Sequence, residues 1–205
     1  MKRRRFLVLA ALIAPAGLAS QPRPAPQAGP SLSASRSMMA GSVLSVSLLN
    51  APAGARVAIA RPGDPATSAI VVVEPRAGQA SLPVPGVAGA YELRLAAGRS
   101  DAPDILFRQP LATTEPSATL SAPERVGRGA SFPARGIGPN GVQDRVVLVS
   151  PDAPPEAIGP VFFPIENVGA VLEAPEREGA YELRYVMDAP VSGARVLARR
   201  AVIVE

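Results

Sequence analysis

The amino-acid sequence predicts an all-β chain built as two tandem β-sandwich domains of about seven strands each. Three observations predict it. Pro and Gly, at 24 and 18 of 205 residues, interrupt most windows of helical length. The apolar segments are short, and Leu44, Val46 and Leu48 alternate with Ser45 and Ser47 at the period of a strand. One pattern also runs twice: Gly89-Ala90-Tyr91-Glu92-Leu93-Arg94 returns as Gly179-Ala180-Tyr181-Glu182-Leu183-Arg184, 90 positions later.

The repeat extends well beyond those six residues. Leu82 and Pro85 recur as Leu172 and Pro175. Leu32-Ser33-Ala34 matches Leu120-Ser121-Ala122 at an offset of 88, and Arg56-Val57 matches Arg145-Val146 at 89. Leu106 and Arg108 match Leu197 and Arg199 at 91. So small a drift leaves room for few insertions, which makes the halves a duplication. The domains are 31–116 and 117–205, joined across 113–117, and each has the size of an ordinary domain.

The elements follow in order. After an opening strand, the first domain offers 44–48, 56–60, 69–73, 80–82, 91–95 and 105–111. The second offers an opening strand, then 132–134, 146–149, 161–163, 170–172, 181–187 and 196–204. Pro, Gly and Asp turns separate them, a spacing that suits a sandwich. Tyr91 and Tyr181 stand where the sixth strand of an immunoglobulin-like sandwich places its tyrosine corner. Gly89 and Gly179, two residues earlier, are expected to admit the sharp turn. With no Cys or Trp, the core must be aliphatic. Leu44, Val46, Ile59, Leu82, Leu93 and Leu106 are expected inside the first sandwich. Phe132, Leu148, Leu172, Leu183 and Leu197 are expected inside the second.

The formal charge of +4 sits at the start of the chain. Lys2, Arg3, Arg4 and Arg5 precede an apolar run over 6–14, and Gly17-Leu18-Ala19 offers small residues for cleavage. Residues 1–19 read as a secretory signal, exported by the Sec route or by the twin-arginine route that Arg3-Arg4-Arg5-Phe6-Leu7 loosely fits. An uncleaved anchor is the alternative, though the run is shorter than the about 20 residues a membrane helix needs. Removing the leader leaves 17 cations against 17 acids. The case for nucleic acid or an anionic membrane goes with it. Residues 20–30 are Pro-rich and read as a tether.

A resemblance rests on the second copy. Gly179 to Tyr185 (GAYELRY), then Arg195 to Arg200 (RVLARR) and Val202-Ile203-Val204, resembles the G-x-YELRY…RVLAR ending of a bacterial immunoglobulin-like module. That module occurs in exported alphaproteobacterial proteins, often beside von Willebrand factor A domains. The resemblance covers the second domain well and the first less closely. The family commonly carries a Trp before a Gly-Pro in its second strand; here Gly136 and Leu48 stand in that place, and Gly138-Pro139 is kept. The resemblance implies a non-catalytic periplasmic module and carries over no binding residue.

The residue inventory excludes most chemistry. The chain has no His, no Cys and no Lys beyond Lys2, so a Ser-His-Asp triad, a thiol nucleophile and an ordinary zinc site are absent. No DxDxDG calcium loop occurs; Asp101, Asp104, Glu176 and Glu178 read as solvated turns. No cofactor is expected, and no catalytic residue. Met38-Met39 reads as core or loop filling. Arg94 and Arg184 are expected on the outer face, either on a binding sheet or in a cross-strand salt bridge, with Tyr185 on the other side of the strand from Arg184. Phe162 and Phe163 should face opposite sides, and the outward ring beside Pro160 and Pro164 is a contact for a partner. The reading is therefore a periplasmic module that binds an unknown protein, by strand addition at an edge or by its end loops. A pilus-type chaperone has a similar size and compartment, but it anchors its partner with an Arg-Lys pair, and the chain after the leader has no Lys.

Overall fold

The computed structural model describes residues 28–205. The expected signal over 1–19 and most of the tether over 20–30 lie outside the described residues. The first domain runs β1 (Ser31–Ala34), β2 (Ser37–Met39), β3 (Val43–Leu49), β4 (Arg56–Ala60), β5 (Val71–Val73), β6 (Gln79–Pro83), β7 (Gly89–Arg99) and β8 (Ala102–Thr114). The second runs β9 (Thr119–Ser121), β10 (Arg125–Val126), β11 (Ser131–Ile137), β12 (Arg145–Val149), β13 (Val161–Phe162), β14 (Gly169–Glu173), β15 (Gly179–Ala189) and β16 (Gly193–Val204).

Each domain folds into the same two sheets. In the first, β1-β3-β6 faces β2-β8-β7-β4-β5; in the second, β9-β11-β14 faces β10-β16-β15-β12-β13. This is the order of an immunoglobulin-like sandwich, so the described residues are all-β with two such domains in tandem. The opening strand differs from its expected form, because it splits and switches sheets. β1 pairs antiparallel with β3, whereas β2 pairs parallel with β8. β9 and β10 repeat the switch around Pro123, which cannot donate to a ladder. β8 also runs on to Thr114, so the connector is 115–118, shorter at its start than expected.

Burial follows the alternation. Leu44, Val46, Ile59, Leu82 and Leu93 are buried in one cluster, and Phe132, Leu148, Leu172 and Leu183 in the other. Met38 packs against the first. Leu106 is the exception, at 37% exposed. The ladder slips between Leu95 and Ala96: Leu95 faces Phe107 and Ala96 faces Ile105, so Leu106 is the extra residue of a bulge. A bulge restarts the alternation, and Phe107 packs on the core instead. The same slip occurs between Tyr185 and Val186, and it leaves Leu197 only partly buried against its core.

Candidate functional site

The repeated tyrosines tie their strands to the chain four residues upstream. Tyr91 Oη donates to Val87 O at 3.1 Å, and Tyr181 Oη to Arg177 O at 2.9 Å. Gly179 takes a φ of +146°, whereas Gly89 lies outside the left-handed region, so only the second turn favours glycine. Tyr91 is 6% exposed, and its hydrogen bond is half-buried. Tyr91→Phe should therefore lower stability in urea unfolding by about 1 kcal/mol. Tyr181→Phe should cost less, because its bond lies in solvent.

Arg94 and Arg184 are not free for a partner, which corrects the binding-sheet reading; each pairs with a nearby acid, Glu92 or Glu182, as the salt-bridge reading expects. Each is 1% exposed. They do leave the outer face of their sheets, but the β4–β5 and β12–β13 loops fold over them. Arg94 Nη1 donates to Pro65 O and Ser68 O at 2.8 and 3.0 Å, and Nη2 to Asp64 O at 2.7 Å. Its Nε donates to Glu92 at 2.5 Å. Arg184 repeats the arrangement, with Nη1 on Ala153 O, Nη2 on Pro151 O and Nε on Glu182 at 2.9 Å. A flat fork of five N–H donors can collect several carbonyls and a carboxylate at once, which a lysine ammonium cannot. Burial raises the Glu182 carboxyl, but hydrogen bonds from Arg184 and Arg199 outweigh it and hold the group below the usual carboxylate range.

The loop pinned by Arg184 leads into the most apolar surface of the second domain. Phe162 is buried and Phe163 is 43% exposed. Ile158, Val161, Ile165 and Val171 are exposed with it, Ile158 almost completely. Among the described residues, β13 pairs only with β12 and β14 only with β11, so each ends its sheet there as a free edge. The two edges approach one another on the same side of the sandwich. Register makes the comparison with the first domain direct. Val73 pairs with Val57 as Phe162 pairs with Val146. Phe163-Pro164-Ile165 therefore stands where the first domain has Glu74-Pro75-Arg76. Val171 faces Pro133 as Ser81 faces Ser45. One copy of the pattern carries charge and hydroxyl where the other carries bare hydrocarbon.

A third cluster, unsuspected from the sequence, lies where the domains meet. Gly86 N donates to Pro190 O at 2.9 Å, and Arg195 pairs with Glu115 of the connector at 3.0 Å. A Cβ on Gly41 would run into Met187 Sδ, and one on Gly86 into Ser192 Oγ. These glycines let the domains approach closely. Behind the contact, Asp144 is wholly buried. It accepts from Gly141 N at 2.9 Å, Tyr185 Oη at 2.8 Å and Asp188 N at 3.1 Å. Tyr185 is wholly buried as well, wedged under Gly136 and Gly138 and reached by Asn140 N at 2.8 Å. Burial and the Asp144 charge push its phenol far above the usual range. The first domain has Ala55 and Leu95 in these places. That break in the repeat was the signal available in the sequence.

Among the described residues, no three carboxylates gather as a metal site. Asp101 instead pairs with Arg99 at 2.6 Å, and Glu178 with Arg128 at 3.4 Å, both in solvent. No protein-family model matches the chain, and no curated protein matches it. Among solved structures it is similar to an I-band fragment of titin, at 14% identity over 87% of this chain and 65% of that one, with a TM-score of 0.33. The chain thus spans just under two thirds of that fragment. Tandem Ig repeats of Dlar overlap it at 15% identity, over 86% of this chain and 98% of that one, with a TM-score of 0.31. The Yersinia pseudotuberculosis adhesin InvE overlaps at 15% identity, over 86% and 58%, with a TM-score of 0.28. Overlap this loose adds nothing to the fold read from the strand order, and no role of these proteins is carried over.

Proposed function

We propose that the chain is an exported, non-catalytic tandem immunoglobulin-like protein that binds another polypeptide in the periplasm through the β13–β14 side of its second domain. The observation that carries this reading is the replacement of Glu74, Arg76 and Ser81 by Phe163, Ile165 and Val171 at matched positions. A duplicated surface that only faced water would keep its polar residues, since exposed apolar groups at a free sheet edge invite association. The free edges supply unpaired backbone groups, and Phe163 and Ile165, at the start of the connection from β13 to β14, supply exposed hydrophobic area. An extended apolar segment of the partner fits both. Arg184 then acts as a positioning residue, because it holds the loop that carries Ile158. Export is supported by the basic and apolar start of the sequence. A chaperone reading gains nothing from the junction, which closes through glycines and presents no Lys.

Phe163→Glu tests the assignment. With unfolding stability unchanged, it should abolish capture of the partner from a periplasmic extract. Val72→Glu, on the matching edge of the first domain, should leave capture intact. Equal loss from both, or from neither, contradicts the assignment.

A further inference from the structure

The second domain contains a buried carboxylate, Asp144, with no cation beside it among the described residues, placed where the two domains touch. Asp144 accepts three hydrogen bonds, and the residues that donate them belong to the β11–β12 loop and to β15. The same two segments, with the β15–β16 turn that follows, make the contact with the first domain. Gly141 lies against Gly41 O, Met187 lies against Gly41 and Gly86, and Pro190 O receives Gly86 N. The shape that Asp144 imposes on them is therefore the shape presented to the first domain.

The surroundings let Asp144 take a proton without orphaning a polar group. Tyr185 Oη lies 2.8 Å from Asp144 Oδ2 and 3.1 Å from Asn140 Oδ1. With Asp144 ionised, the phenol donates to it. With Asp144 protonated, the carboxyl donates to Tyr185 Oη, whose second lone pair keeps accepting from Asn140 N, and the phenol turns its own proton to Asn140 Oδ1. Gly141 N and Asp188 N keep their acceptors in both states. Only the ionised state carries a buried charge, and the charged neighbour on β15 is Asp188, of like sign. Arg145 on β12 is turned away to Pro155 O. The first domain brings the uncharged Gly41, Pro85 and Gly86, while Glu115 and Arg195 pair with each other.

We propose that Asp144 is a proton-operated latch of the junction: one proton on its carboxyl reverses the Asp144–Tyr185–Asn140 chain and firms the hold of the second domain on the first. Burial pushes the Asp144 carboxyl above its usual range, against the opposing hydrogen bonds from Gly141 N, Tyr185 and Asp188 N. A raised carboxyl in the folded state means that the folded chain holds more proton than the unfolded one between the two pKa values. Stability is thus gained as pH falls through the folded value and lost as it rises. Glu182 acts in the opposite sense, its contribution fading as pH falls through its own lowered value, so the latch must be read locally.

The test is an NMR titration of the full two-domain chain, following the amides of Gly141, Asp188 and Gly86. All three should titrate with one midpoint above the ordinary aspartate value of about 4. Gly86, across the junction, should gain exchange protection in acid, corrected for intrinsic rates, as pH falls through that same midpoint. Asp144→Asn should remove the titration from all three amides. Should that variant fail to fold, Asp188→Asn and Glu115→Gln take its place, and the common titration should survive in both. A Gly86 amide that stays flat while Gly141 and Asp188 titrate overturns the proposal. So does a Gly86 titration that persists in Asp144→Asn, or one that vanishes with Glu115→Gln.

Discussion

Arg184→Met should lower the stability of the second domain by about 3 kcal/mol, and Arg94→Met should do the same for the first. Two-domain urea unfolding, with each domain followed by its own probe, measures both. The size follows from what the guanidinium holds. In the second domain its removal strands the carbonyls of Ala153 and Pro151 under the loop and leaves Glu182 with Arg199 alone. In the first it strands Pro65, Ser68 and Asp64. A methionine fills much of the volume but donates nothing. Lysine should rescue poorly, since one ammonium cannot reach carbonyls on both sides of the fork. A loss under 1 kcal/mol in both domains would mean that the loops are held by something else.

Tyr185→Ala should cost about 4 kcal/mol in the second domain, the usual range for emptying an aromatic site. The ring fills the space beneath Gly136 and Gly138; a Cβ on Gly138 would approach Tyr185 Cζ to 2.6 Å. It also satisfies Asn140 N and Asp144. Tyr185→Leu, which installs the residue of the first domain, should recover part of the packing and none of the hydrogen bonds. It should therefore fall between wild type and Tyr185→Ala in chemical unfolding. If Tyr185→Leu matches wild type, the buried Asp144 does not depend on the phenol.

Period two and the repeated GAYELR string made the sandwich legible, because strand alternation is a local property of the sequence. Leu44, Val46, Leu82 and Leu183 fell inside for that reason. Leu106 did not, because a bulge is set by how β7 and β8 register against each other, which no single strand declares. Arg94 and Arg184 illustrate a different limit. Alternation put them on the outer face correctly, yet a sequence does not show that a distant loop will fold over that face and bury them. Asp144 was one acid among 17 with no motif around it. Its departure, with Tyr185, from Ala55 and Leu95 of the first copy was the one trace it left, and the three-dimensional approach of Tyr185, Gly141 and Asp188 gives that trace its meaning. The apolar edge was half legible: Phe162 and Phe163 stood out as a pair, but the contrast with Glu74 and Arg76 needed the strand register.

The central claim is that the second domain, and not its twin, carries the partner-binding edge. Site-specific photo-crosslinking in intact cells tests it most directly, with the reactive residue placed at position 163 and, in a separate chain, at its counterpart 74. The account predicts a discrete protein adduct from position 163 that is lost when Val171→Asp is added, and none from position 74. The same adduct from both positions, or an adduct from position 74 alone, would contradict it.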